Sequence, residues 1–333
     1  MKRELWIVMV GAVALCIGAE PRVLTLTGDV EGVHDPVIMK HKDTYYVFCT
    51  GGGRSNPGIV PIRTSKDLLT WSNAGMVLPN LPEWAKTEIP GARNAWAPDI
   101  SYFNGKYHLY YSVSTFGSRN SAIGLATNRT LDSKDPDYEW VDEGLVLRSY
   151  QDKDDWNAID PNIVVEDENN VWINWGSFWG GIKMRRIDPK TGKLSASDTT
   201  MHSLCSRERA QPVNGSVEGS FIFRNGDYWY LFVSYDRCCR GVQSTYNVVV
   251  GRSKSVTGPY VDRAGKPLTE GGGTKVIEAT TPNWRGPGHE AVFRDGAQDY
   301  LVFHAYQGTT GRSALHISTM SWEDGWPRVG VLP

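Results

Sequence analysis

Asp160-Pro161-Asn162-Ile163-Val164-Val165, followed after a short polar interval by Val171-Trp172-Ile173-Asn174-Trp175, is the stretch that decides the architecture. Two runs rich in β-branched and aromatic residues with a turn-forming interval between them read as a strand, a turn and a strand. The phrase occurs five times. His34-Asp35-Pro36-Val37-Ile38 precedes Tyr45-Tyr46-Val47-Phe48, and Ala97-Pro98-Asp99-Ile100 precedes Tyr107-His108-Leu109-Tyr110-Tyr111. Glu218-Gly219-Ser220-Phe221-Ile222 precedes Tyr228-Trp229-Tyr230-Leu231-Phe232, and His289-Glu290-Ala291-Val292-Phe293 precedes Tyr300-Leu301-Val302-Phe303. Alignment puts Asp35, Ala97, Asp160, Glu218 and His289 at one equivalent position, with successive spacings of 62, 63, 58 and 71 residues.

Each unit has a second half. Strand-like runs closed by small polar residues recur at Ile59-Val60-Pro61-Ile62, Ile123-Gly124-Leu125-Ala126, Ile182-Lys183-Met184-Arg185, Val248-Val249-Val250-Gly251 and Leu315-His316-Ile317-Ser318. Each unit therefore holds about four short strands, and no stretch sustains a capped helical period. Four-stranded sheets repeated at a near-constant interval without helices between them predict an all-β, five-bladed β-propeller in a single domain.

The N-terminus reads as an address. Met1-Lys2-Arg3 is positive, Leu5 to Ile17 is apolar but short for a bilayer, and Gly18-Ala19 offers small residues for cleavage. The expectation is a signal peptide over residues 1–19, an exported propeller over 20–333, secreted or periplasmic, and no membrane span. Cys16 raises lipid attachment, against which Leu15 is a poor preceding residue. A net charge of -2 without a basic tract argues against nucleic acid. Thirteen Trp and fifteen Tyr suit stacking surfaces and a β-rich core alike. Cys49, Cys205, Cys238 and Cys239 match no zinc spacing; the neighbouring pair either closes a tight ring or stands as two thiols. A monomer is expected.

In a propeller the innermost strands line the axis, so Asp35, Asp160, Glu218 and His289 should meet at one mouth although they lie up to 254 residues apart. Neighbouring, partly desolvated carboxyls cannot all ionise, and their proton affinities separate. One then donates a proton and another accepts one, the division of labour that cleavage of a glycosidic bond requires. Asp before Pro is also a common turn former; co-register across the repeats is what argues for chemistry.

His34-Asp35-Pro36, Trp96-Ala97-Pro98-Asp99, Asn157-Ala158-Ile159-Asp160-Pro161-Asn162, Val217-Glu218-Gly219-Ser220 and Gly286-Pro287-Gly288-His289-Glu290, taken in order, resemble glycoside hydrolase family 43. Trp175-Gly176-Ser177-Phe178-Trp179-Gly180-Gly181-Ile182, Cys238-Cys239-Arg240-Gly241, Ser244-Thr245-Tyr246-Asn247 and Gly251-Arg252-Ser253-Lys254 are similar to its endo-1,5-α-L-arabinanase branch. The resemblance implies a five-bladed propeller that cleaves internal bonds of arabinan with inversion. Asp35 falls on the general base, Glu218 on the general acid, and Asp160 on the carboxylate that holds the acid and raises its pKa by its negative charge. Inversion implies roughly 6.5–9.5 Å between the carboxyl groups of base and acid.

The resemblance also implies Trp96, Phe116, Asn157 and Ser177 as substrate contacts. It implies His289 as the protein ligand of a calcium or other ion in the axial channel, completed by water and helping to keep Asp35 ionised. Asp99, two positions past the register, reads as structural, and His34 as a support for Asp35. An exo-acting α-L-arabinofuranosidase or β-xylosidase of the same family is the nearest alternative, disfavoured by the arabinanase-like aromatic motifs and by the lack of an appended β-sandwich. A non-catalytic carbohydrate-binding propeller is the alternative of another class; it would be expected to lack a carboxylate.

Overall fold

In the computed structural model, which describes residues 19–51, 58–210 and 214–333, each repeated phrase forms the two innermost strands of an antiparallel sheet. Met1–Gly18, which carry nearly all of the expected leader and Cys16, lie outside the described residues. Blade one comprises His34–His41, Thr44–Thr50, Ile59–Ser65 and Thr70–Leu78. Blade two comprises Trp96–Phe103, Lys106–Val113, Ser121–Asn128 and Val141–Ser149. Blade three holds Asn162–Val165, Val171–Trp175 and Ile182–Asp188, its outer position divided between Lys193–Leu194 and His202–Cys205. Blade four has Val217–Asn225, Tyr228–Tyr235, Asn247–Ser253 and Thr274–Ile277, and blade five Trp284–Asp295, Gln298–Gln307, Ser313–Glu323 and Trp326–Val329. The five-bladed propeller is as expected.

The core sits between blades. The second strand of each blade is apolar on both faces because successive side chains point to opposite sides and both sides are covered. Tyr46 and Phe48 pack with Leu109, Tyr111 and Val113 of blade two, whereas Tyr45, Val47 and Cys49 pack with Val302, Leu315 and Ile317 of blade five. The same alternation joins blades two and three through Tyr110 and Ile173, three and four through Met184 and Leu231, and four and five through Phe232 and Phe303. A β-rich core thus takes up many of the aromatics.

The ring is closed by the N-terminal segment. Leu24 N–H donates to Ile317 O and Gly32 N–H to Ser313 O in blade five, while Thr27–Gly28 pairs in parallel with Thr70–Leu78 of blade one. Leu24, Leu26 and Val30 pack into the cluster shared by the two blades.

One expectation about register needs correction. Asp35, Ala97, Asp160 and His289 share a left-handed backbone, with φ of 50°, 41°, 58° and 48°, but the blade-four residue in that conformation is Gly219, at 59°. Glu218 pairs across its ladder with Ser234 as His34 does with Thr50, Trp96 with Ser112 and Gly288 with His304. Glu218 therefore stands one residue before the common register. The reason is a bulge at the head of the inner strand: in blades one, two, four and five the ladder slips at this point, and the slip moves each following side chain.

Candidate active site

The left-handed residue at the head of each inner strand turns its backbone N–H toward the preceding blade. Ala97 N–H donates to Thr50 Oγ1 at 2.7 Å, Asp160 N–H to Ser112 Oγ at 2.9 Å, His289 N–H to Ser234 Oγ at 2.7 Å and Asp35 N–H to His304 Nδ1 at 3.1 Å. All four acceptors lie on a second strand. In blade three the matching residue is Gly176, whose N–H is bonded to Ile159 O and which has no side chain to offer. The Gly219 N–H is taken instead by Asp160 Oδ2, at 3.2 Å. The blade-three carboxyl is thereby tied to the backbone beside Glu218. Glycine at 219 takes this positive φ without strain, and a Cβ there would come within 3.1 Å of His289 Nδ1.

Asp35, Asp160 and Glu218 are all buried, and with His289 they line one groove of about 600 Å³. Asp35 is surrounded by donors. Thr50 Oγ1 donates to its Oδ2 at 2.5 Å, His34 Nδ1 lies 2.8 Å from Oδ2 and His289 Nδ1 3.0 Å from Oδ1. Burial by itself would raise the Asp35 pKa, but His289 above all, with His34 beside it, holds it well below the usual carboxylate range. His289 shows the reverse balance: burial would lower it, and Asp35 above all raises it, to about 10. The expectation that His34 supports Asp35 agrees with this geometry.

Glu218 has its own partners. Ser177 Oγ donates to Oε2 at 2.6 Å, and the Tyr246 hydroxyl donates to Oε1. Burial raises the Glu218 pKa and outweighs the lowering by these two donors and by His289. Asp160 is also raised, to about 8, by burial first and then by the charges of Glu218 and Asp35. Both carboxyls hold their protons at a pH where an exposed carboxyl has lost its own. The expectation that a settled Asp160 anion is what lifts Glu218 is corrected: burial is the leading cause for both. Glycine at 288 keeps this corner open, because a Cβ there would strike the Tyr246 ring.

Among the residues expected at the substrate, Trp96, Phe116, Asn157 and Ser177 all line the groove. Phe116 is 85% exposed, an unusual state for a phenylalanine and one that leaves its face free to stack. Trp96 donates its indole N–H to Asn94 Oδ1. Asn157 is buried, and its Oδ1 is enclosed without a hydrogen-bond partner among the described residues. The Ser177 hydroxyl, by contrast, is spent on Glu218. Asp99 is structural, as expected: its carboxylate accepts from Ile163 N–H and Asn162 Nδ2 of the next blade.

Several groups at this site carry no sequence signal of their own. Thr50, His304 and Tyr306 sit in ordinary strand contexts, and only packing brings them to the carboxyls; Tyr246 lies in the Ser244–Asn247 motif, but nothing in that motif foretells its bond to Glu218. Phe178 and Trp179, both with positive φ, and Cys238 and Cys239 add to the groove wall. Cys238 and Cys239 are joined by a disulfide, which decides between the two readings left open, and Cys49 and Cys205 are buried thiols.

The donor set offers a cation little. His289 Nδ1 faces Asp35, leaving Nε2, which makes no hydrogen bond among the described residues, as the one imidazole nitrogen for an ion. Neither cluster of three ligand-type side chains among the described residues, His34–Cys238–Cys239 or His34–Asp35–His304, includes His289. The residues fit only an ion carried mainly by water.

Comparison with known proteins places this geometry. The sequence pattern described as glycosyl hydrolases family 43 matches residues 30–327. The chain is 42% identical over 306 residues to an extracellular exo-α-(1→5)-L-arabinofuranosidase of Cellvibrio japonicus, covering 89% of this chain and 86% of that protein. It is 39% identical over 300 residues to the extracellular endo-α-(1→5)-L-arabinanase 1 of Bacillus subtilis, covering 89% and 87%. Among solved structures it is similar to the endo-arabinanase of Bacillus licheniformis, with a TM-score of 0.82, 42% identity and coverage of 92% of this chain and 99% of that one.

Proposed function

The chain belongs to the glycosyl hydrolases family 43 and is a glycosidase, and from that premise we propose that it cleaves internal α-1,5-L-arabinofuranosidic bonds of arabinan with inversion. The observation that carries the reading is the opposed proton affinity of three buried carboxyls on one groove: Asp35 is held low, while Glu218 and Asp160 are held high. Asp35, ionised, takes a proton from a water molecule as that water attacks the anomeric carbon. Glu218 gives its proton to the departing glycosidic oxygen on the opposite face. Asp160 holds the backbone beside the acid through Gly219 N–H. Trp96 and Phe116 stack on sugar rings, and the Asn157 side chain contacts a sugar hydroxyl. A cation on His289 Nε2 would add positive charge next to Asp35, as the imidazolium does without it.

The test is hydrolysis of linear 1,5-α-arabinan, with viscosity and released sugars followed together and the product anomer read by NMR. A fast fall in viscosity with inverted short oligosaccharides is expected, and Glu218→Gln should lower kcat roughly 10²–10⁴-fold. A retained anomer or an active Glu218→Gln enzyme would sink the assignment. The exo reading is kept because the Cellvibrio japonicus relative carries that name; it predicts monosaccharide or one short product with little change in viscosity. Calcium binding is tested by calorimetry: a stoichiometric heat lost in His289→Ala supports the site, and no heat in the wild type ends it. Export with removal of residues 1–19 accords with the two relatives named extracellular. N-terminal sequencing of exported protein checks it, and a retained Met1 would refute it.

A further inference from the structure

The mechanism uses Asp35, but it leaves open what holds His34 against it. The answer begins in the blade-four loop between Tyr228–Tyr235 and Asn247–Ser253, where the Cys238–Cys239 disulfide lines the groove. Cys239 has a left-handed backbone, with φ 66°, and its N–H donates to Tyr306 Oη at 2.9 Å. Tyr306 Oη is 2.6 Å from His34 Nε2, and His34 Nδ1 is 2.8 Å from Asp35 Oδ2. The His34 ring also stacks on His304, with centroids 3.9 Å apart.

With the His34 and His304 rings neutral, the hydrogens along this chain run one way. His304 Nδ1 accepts Asp35 N–H, so the hydrogen of the neutral ring sits on Nε2, 3.2 Å from Tyr306 Oη. The phenol oxygen thus receives from both Cys239 N–H and His304 Nε2–H. Its own hydrogen then points to His34 Nε2, 2.6 Å away, and the hydrogen of a neutral His34 sits on Nδ1, in close contact with Asp35 Oδ2 at 2.8 Å. The loop comes from blade four, Tyr306 from blade five and His34 from blade one, so the chain crosses the seam where the ring closes without a covalent bond.

Left to itself, a non-glycine residue leaves the left-handed region. The neighbouring hydrogen bonds, Arg237 N–H to Thr245 Oγ1 and Arg240 N–H to Ser244 Oγ, fix the flanks of the loop and not Cys239 itself. We infer that the Cys238–Cys239 disulfide is a positioning element for the general base: it keeps the Cys239 N–H on Tyr306, and Tyr306 in turn orients His34 and the Asp35 carboxylate. The inference rests on the reading of Asp35 as the base.

The experiment compares kcat and KM on arabinan for the wild type, the Cys238→Ser, Cys239→Ser pair, Tyr306→Phe and the combination of all three. The pair and Tyr306→Phe should each lower kcat roughly tenfold or more while KM stays within about twofold. The triple variant should be no slower than the slower of the two, because both act through one chain. Losses that multiply in the triple variant, or a raised KM with unchanged kcat, would overturn the inference and leave the ring as groove wall alone. If the serine pair does not fold, the folded wild type is treated with a mild reductant; Cys49 and Cys205 are already thiols, so only the ring responds. Reduction that leaves kcat unchanged is equally fatal. Asp35→Ala is run alongside: turnover retained there refutes the base assignment, and with it this inference. Abolished turnover there with multiplying losses elsewhere refutes the positioning role only.

Discussion

Glu218 shows how single side chains settle a proton's place. Burial favours its neutral form, while the hydroxyls of Ser177 and Tyr246 favour its charge. Tyr246 is itself raised well above its ordinary value by burial and by nearby carboxyls, so it stays a donor across the working range. Tyr246→Phe removes a donor to the ionised form, and the Glu218 pKa must then rise further. The alkaline limb of kcat/KM should move to higher pH, while kcat falls roughly tenfold as the acid is less well held and releases its proton less readily. A pH–rate profile of the variant checks both signs, and an alkaline limb moving down would contradict the account. Asp35 works the other way. Its lowered pKa places the acid limb below the range of an ordinary carboxyl, so activity should persist into acid where an unassisted base would be protonated.

At the scale of elements, the inner strands are coupled by side chains that grip the next blade. Asp99 of blade two accepts from Ile163 N–H and Asn162 Nδ2, and Asn162 Oδ1 of blade three accepts from Ile222 N–H of blade four. Burial pushes the Asp99 carboxyl up to about 7 even though it accepts these bonds. Asp99→Ala leaves buried donors without a partner and should cost about 1–3 kcal/mol of unfolding free energy. Asp99→Asn, which keeps an acceptor, should recover much of that loss. Denaturant melts of the two variants check the difference; equal stability of the alanine variant and the wild type would show that the clamp carries no weight. KM should be unchanged in both, since Asp99 does not line the groove.

Over the whole molecule, the buried site makes stability depend on pH with a sign that can be worked out. Asp99 and Asp160, raised to about 7 and about 8, keep protons in the folded state that the unfolded chain has already lost above its ordinary carboxyl pKa near 4. The folded state therefore binds more protons, and stability falls as pH rises through this range. His289, raised to about 10, adds to the fall above its unfolded value near 6.5. The buried His108 and His316, both lowered to about 4, oppose it, but only up to about 6.5, where the unfolded histidines also become neutral. Between about pH 6.5 and 8 the opposition from these two histidines fades while Asp160 and His289 keep lowering stability, so Tm should drop by roughly a few degrees across that window. Calorimetry at a series of pH values checks it, and a Tm that climbs there would refute the balance.

The five-fold phrase, its four-stranded units and the apolar second strands determined a five-bladed propeller from the sequence alone, because a period of two buried on both faces can be satisfied only by sheets stacked face to face. The convergence of Asp35, Asp160, Glu218 and His289 was legible for the same reason: a closed ring brings equivalent inner positions together. The one-residue offset of Glu218 was not, since a bulge inserts its extra residue without changing the residue types around it. Nor was the fate of the Ser177 hydroxyl, or the run from Cys239 through Tyr306 and His34 to Asp35. These depend on contacts between residues far apart in the chain, whose partners are chosen by the angle at which one blade meets the next. Tertiary structure also decided which carboxyl is held low and which are held high: desolvation and the placing of His289 set that difference, and neither is a property of the residue where it stands in the sequence.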